Sequence, residues 1–168
     1  MKKYVLLGVI ALVMLLSVPA AMAAVPTDQT ILTGSINAAS TIVVETPNLA
    51  IGTMDIGNTY DNTNNGLKTM VTVTQTATPS WTLNIADISA QGNPGHMWAT
   101  GPKYLSNPLQ VWNTASLSWQ NVNGVATPYI NGAGTGIQIL ETDFSQKVAS
   151  PDVAGSYQIT VQVSLVNL

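Results

Sequence analysis

The chain has 168 residues, of which 46% are hydrophobic and only 8% charged, and it contains no Cys. Soluble domains carry about 25% charge, so a coiled coil and a nucleic-acid-binding surface, which both need many charges, are excluded as classes. Disulfides and thiolate chemistry are excluded with the cysteines.

The basic residues are Lys2, Lys3, Lys68, Lys103 and Lys147, with no Arg. Lys2 and Lys3 precede an apolar run, Tyr4 to Val18, of about fifteen residues, short for a membrane span of roughly 20. Pro19 breaks the run, and Ala21-Met22-Ala23 supplies a small-x-small cleavage site. Residues 1–23 are therefore expected to be a cleaved secretory signal, and residues 24–168 a single domain. The mature chain keeps three Lys against eight Asp and Glu, a net charge of about −5 that offers no basic patch to an anionic partner. No later run is long enough for a transmembrane helix. Neither a sorting tail nor an Asn-x-Ser/Thr sequon is seen, so the expected location is extracellular or cell-surface, with any retention noncovalent.

The mature composition favours Thr, Ser, Asn, Gln, Gly and Val, which suits pleated, half-buried strands better than helices. In chain order, the arm from Ala24 is small, polar and interrupted by Pro26, which has no N–H to give a ladder. Ile31 to Ile36 is a short strand candidate whose Ile31, Leu32 and Ile36 can add to a sheet edge, in the same chain or a neighbour's. Thr41 to Glu45 is the next. Asn62 to Gly66 reads as a turn. Across Lys68 to Thr76, Val71 and Val73 face one way and Thr72 and Thr74 the other. In Trp81 to Asp87, Trp81, Leu83 and Ile85 share a face. Gln91 to Gly95 and Gly101-Pro102 bracket a middle loop. In it His96-Met97-Trp98, between Gly95 and Gly101, is expected to project. Leu109 to Trp112 and Ile137 to Glu141 are short strands, and Asn121 to Gly136, rich in Gly, reads as the loop between them. The clearest strand is the last. Tyr157, Ile159, Val161, Val163 and Leu165 line one face, against Gln158, Thr160, Gln162 and Ser164 on the other. Many short strands with turn signals predict an all-β antiparallel sandwich, Ig-like or jelly-roll-like. Trp81 and the odd-numbered face of the last strand should share its core.

Chemistry-bearing residues are sparse. His96 is the lone His, with no Cys to join it, so neither a metal site nor a nucleophile–base pair is indicated, and no cofactor is expected. Glu141 and Asp143 share a strand face and are the one conceivable hydrolase pair; an exposed strand end is the ordinary alternative. Asp61 to Gly66 resembles the opening of a calcium loop, but Thr72 stands where the bidentate Glu belongs. Gly132-Ala133-Gly134-Thr135-Gly136 lacks the Lys and following helix of a phosphate loop. The chain is thus expected not to be an enzyme. Trp98, Tyr104 and Trp112 are the candidate binding residues, because aromatic anchors dominate interfaces that lack charge.

One resemblance follows from these residues. Ser80-Trp81-Thr82-Leu83 in a strand, a variable middle, and the terminal Tyr157 strand ending Val163-Ser164-Leu165 resemble the WxL-type surface domains of Gram-positive bacteria. Val163 stands where the second Trp would be. Trp81, Leu83, Tyr157, Val163 and Leu165 are the positions that carry the motif. The resemblance implies a nonenzymatic, adhesive surface domain held noncovalently on an envelope polymer or surface protein. The plan of leader, Thr-rich sandwich and long last strand is also similar to secreted subunits of bundling pili and biofilm fibres. That likeness implies self-assembly into filaments by strand addition.

Overall fold

The computed structural model describes residues 40–76, 80–101 and 103–168. The signal segment and the Ile31–Ile36 strand candidate lie outside these residues. The chain forms β1 (Ser40–Val44), β2 (Thr59–Asp61), a single helical turn α1 (Asn62–Asn65), β3 (Lys68–Gln75), β4 (Ser80–Asp87), β5 (Trp98–Ala99), β6 (Lys103–Tyr104), β7 (Gln110–Asn113), β8 (Ser118–Asn121), β9 (Thr127–Ala133), β10 (Gly136–Lys147) and β11 (Val161–Asn167). One sheet runs β1-β3-β10-β7-β8, with β2 also on β10. A second runs β11-β4-β9, and β5 and β6 form a small hairpin. Every ladder is antiparallel. The fold is an all-β sandwich, and among the described residues no helix is long and apolar enough to cross a membrane.

The period-two pattern does what alternation requires. On β3, Thr69, Val71, Val73 and Gln75 are buried while Met70, Thr72 and Thr74 are half-buried. On β10, Thr142, Phe144 and Gln146 are buried, and Ile137, Ile139 and Glu141 are exposed. Strand β4 is flanked on both sides, and Trp81, Leu83 and Ile85 have no exposed surface. These side chains, with Val71, Val73, Val111, Val122, Tyr129, Ile130 and Phe144, make the core between the sheets.

Strand β9 corrects the expected loop. Pro128 can enter it because β9 is an edge strand, with one neighbour among the described residues. Gly132 belongs to it because Trp81, directly opposite, lays its indole over that position: a Cβ on Gly132 would fall 1.9 Å from Trp81 Cζ2. A bulge shifts the register between Leu83 and Asn84, so the adjacent Tyr129 and Ile130 are both buried. Tyr129 places its hydroxyl 3.2 Å from Thr142 Oγ1, and burial pushes its phenol up to about 12. The expected turn at Asn62–Gly66 is α1. Asp61 caps it by accepting from Asn64 N, and Gly66 closes it at φ 63°.

Candidate functional site

The sheets are joined at one end and open at the other. At the closed end Ser40, Gln75 and Asn167 form a polar clasp. Gln75 Nε2 donates to Asn167 Oδ1 at 2.7 Å, Asn167 Nδ2 to Ser40 Oγ at 2.9 Å, and Ser40 Oγ to Gln75 Oε1 at 2.6 Å. The clasp ties the first residue of β1 to the last of β11, across sheets. Beyond it lies a cleft of about 1220 Å³ with an apolar floor and mixed lips, lined by Val44 of β1 and Val161 and Val163 of β11. Its floor includes Leu67, Leu109 and Phe144, and its lips are the segments 46–56 and 153–160.

Strands β1 and β11 are both edge strands: among the described residues each is paired on one side only, β1 with β3 and β11 with β4. Neither carries a charged residue or a Pro, the usual protection against edge-to-edge pairing. The inward residues of β11 reach only partial burial. Ile159, Val161, Val163 and Leu165 pack against the core but stay half-buried. The expected shared core is therefore complete at Trp81 and incomplete along the last strand. The strand also begins at Val161, four residues later than the alternation suggested. Upstream, Gln158 makes a single bridge to Trp98, so Tyr157 and Ile159 lie outside the ladder.

Asp152 shapes one lip. Burial pushes its carboxyl up, but the N–H groups of Ala149 and Ser106, both at 2.7 Å, outweigh this and hold it below the ordinary carboxylate value. It is a structural carboxylate that fixes the turn leading into residues 153–160. No cluster of three or more metal-ligating side chains occurs among the described residues.

The candidate binding residues fall into two separate pairs. Trp98 stands opposite Tyr104 in the β5–β6 hairpin, and both are half-buried. Trp112 stands opposite Trp119, with ring centroids 5.4 Å apart. The His96–Trp98 segment does not project: Met97 is buried, His96 Nδ1 is 2.6 Å from Leu105 O, and Trp98 N donates to Gln158 O. Of the motif positions, Trp81 and Leu83 have no exposed surface, while Tyr157 and Val163 line the cleft. Leu165 is half-buried opposite Leu83. The cleft residues Leu49, Ile51 and Met54 follow no strand period, so the sequence pattern does not single them out.

Glu141 and Asp143 do not line the cleft. Glu141 makes an exposed ion pair with Lys68 at 2.7 Å, which holds its carboxyl down, and accepts from Asn62 Nδ2 at 3.2 Å. Asp143 is pushed up by burial and by the Glu141 charge. The chain matches no family model and no curated protein.

Proposed function

We propose that this is a secreted, nonenzymatic structural protein of the cell surface whose copies join by strand addition. The observation that carries the reading is the juxtaposition of β1 and β11, unprotected edge strands among the described residues, across a cleft with an apolar floor. An added strand gains backbone hydrogen bonds from an edge and side-chain burial from the cleft, which is how strand-addition interfaces obtain both affinity and specificity. The mature chain provides such a strand in Ile31–Ile36, just ahead of β1. Its even-numbered face, Leu32, Gly34 and Ile36, presents two large apolar residues. With a net charge of about −5 and no Arg, assembly rests on apolar and backbone contacts, so it is salt-insensitive. The wall-held reading implied by the WxL resemblance is the second proposal, and binding of the monomer to isolated envelope would favour it.

The test is electron microscopy and sedimentation of the purified mature chain, with and without residues 24–33. The expected result is salt-resistant filaments from the intact chain and a folded monomer from the truncated one. An unfolded truncation product would place the arm in its own sandwich. Unchanged assembly would remove it from the mechanism.

A further inference from the structure

Strand addition makes no use of the β7–β8 hairpin, whose outward face is chemically distinct. Alternation turns Val111, fully buried, toward the core. It turns Gln110 and Trp112 of β7, and Trp119 and Asn121 of β8, the other way. The register sets these four in two directly opposed rows, Trp112 with Trp119 and Gln110 with Asn121. The rows lie about 6.8 Å apart along the strands. The indoles meet edge-to-face at 74°, so they do not bury each other in a stack, and Trp119 stays 38% exposed. In the second row Gln110 Nε2 donates to Asn121 Oδ1 at 2.9 Å. Among the described residues this leaves Gln110 Oε1 as a free acceptor and Asn121 Nδ2 as a free donor.

The turn that joins the strands is held in place. Asn113 Oδ1 accepts from Ala115 N at 2.9 Å and from Ser116 N at 3.1 Å. Leu117 follows with φ 51°, a left-handed conformation that Leu rarely adopts, and is 73% exposed. The hairpin thus presents a preformed surface, which lowers the ordering cost of binding. From residue 110 to 121 it carries no charged side chain.

We infer that this face binds a neutral polysaccharide. An uncharged strip suits an uncharged ligand, and the net negative charge of the chain disfavours an acidic one. Indole faces pack against the C–H faces of pyranose rings, and side-chain amides offer the paired donor and acceptor that vicinal hydroxyls require. The partner is a neutral glycan chain lying along the hairpin, with sugars over Trp112 and Trp119 and hydroxyls on Gln110 and Asn121. The inference is independent of the strand-addition reading.

The experiment is native affinity electrophoresis of the mature chain in gels containing laminarin, hydroxyethylcellulose, galactomannan or glycol chitin, with alginate as the anionic control. The expected result is retardation by at least one neutral polymer, unchanged in high salt. The same retardation should fall at least tenfold in Trp119→Ala and several-fold in Asn121→Ala, while Trp119→Phe, which keeps an aromatic face, retains part of it. Thermal melts confirm that each variant is folded. Retardation by none of the neutral polymers overturns the inference, as does undiminished retardation in Trp119→Ala. Salt-sensitive binding to alginate alone overturns it too. So does loss of self-assembly in Trp119→Ala without any glycan binding, which would make the face a contact between copies.

Discussion

The two long inward-facing runs of this sandwich, on β4 and β11, are similar in pattern and opposite in outcome. Trp81, Leu83 and Ile85 alternate with polar residues and have no exposed surface; Val161, Val163 and Leu165 alternate as regularly and remain half-buried. The difference lies in their neighbours. Among the described residues, strand β4 sits between β11 and β9, whereas β11 has a partner on one side and the cleft beside it. Alternation in a sequence shows which face is apolar, and topology decides whether that face is covered. Under the strand-addition proposal, that partly covered apolar face is where another strand is received.

Substitutions at the two ends should differ accordingly. The largest effect is expected at the covered end: Trp81→Ala should cost about 3–5 kcal/mol, as for other large aromatic truncations in cores. Gly132→Val should be comparably damaging, because its side chain would occupy the space of the Trp81 indole. Val163→Ala, in a half-buried position, should cost the monomer about 1 kcal/mol yet weaken assembly strongly. Chemical denaturation of monomer, set beside sedimentation of assembled protein, separates these responses. An equal loss of monomer stability at Trp81 and Val163 would erase the distinction between the ends.

Smaller effects should follow pH. Asp152 has a folded value below the ordinary 3.8, so its contribution to stability is complete above 3.8 and is lost as pH falls through the folded value. Asp143 has the opposite sign. Its folded value lies above 3.8, so its contribution is present below 3.8 and is lost as pH rises through the folded value. Thermal melts across acid and neutral pH should show Asp152→Asn losing part of the acid-dependent destabilisation. Asp143→Asn should be slightly more stable than wild type at neutral pH. The reverse order of the two variants would contradict the assigned environments.

Much of the sandwich was legible in the residues. Val71 and Val73 against Thr72 and Thr74 located β3, and Trp81, Leu83 and Ile85 located β4, because a strand buried on one face must alternate. Strand β9 was not legible, because Pro128 and Gly132 look like breakers. Pro128 is tolerated at a sheet edge, and Gly132 is there to admit an indole from another strand, a tertiary demand invisible at short range. The signal is a buried Trp in need of a small cross-strand partner. The start of β11 was misplaced because Tyr157 to Ile159 continues the alternation without a continuous ladder. The cleft itself could not be read from the sequence. It depends on Ser40 meeting Asn167 across 127 positions, and no local pattern encodes that meeting. The pairing of Trp112 with Trp119 comes from hairpin register, which no local pattern encodes.

Because the natural chain has no Cys, engineered pairs report proximity without background. The most direct measurement of the account is oxidative cross-linking of two mature single variants, mixed before assembly. One carries Leu32→Cys or Ile36→Cys, and the other Val163→Cys. The account predicts a disulfide-linked heterodimer in the mixture, abolished by an excess of the peptide Gln29–Ala38. No cross-link in the mixture, together with an internal disulfide in the dilute double variant, would place the arm in its own cleft and contradict strand addition between copies.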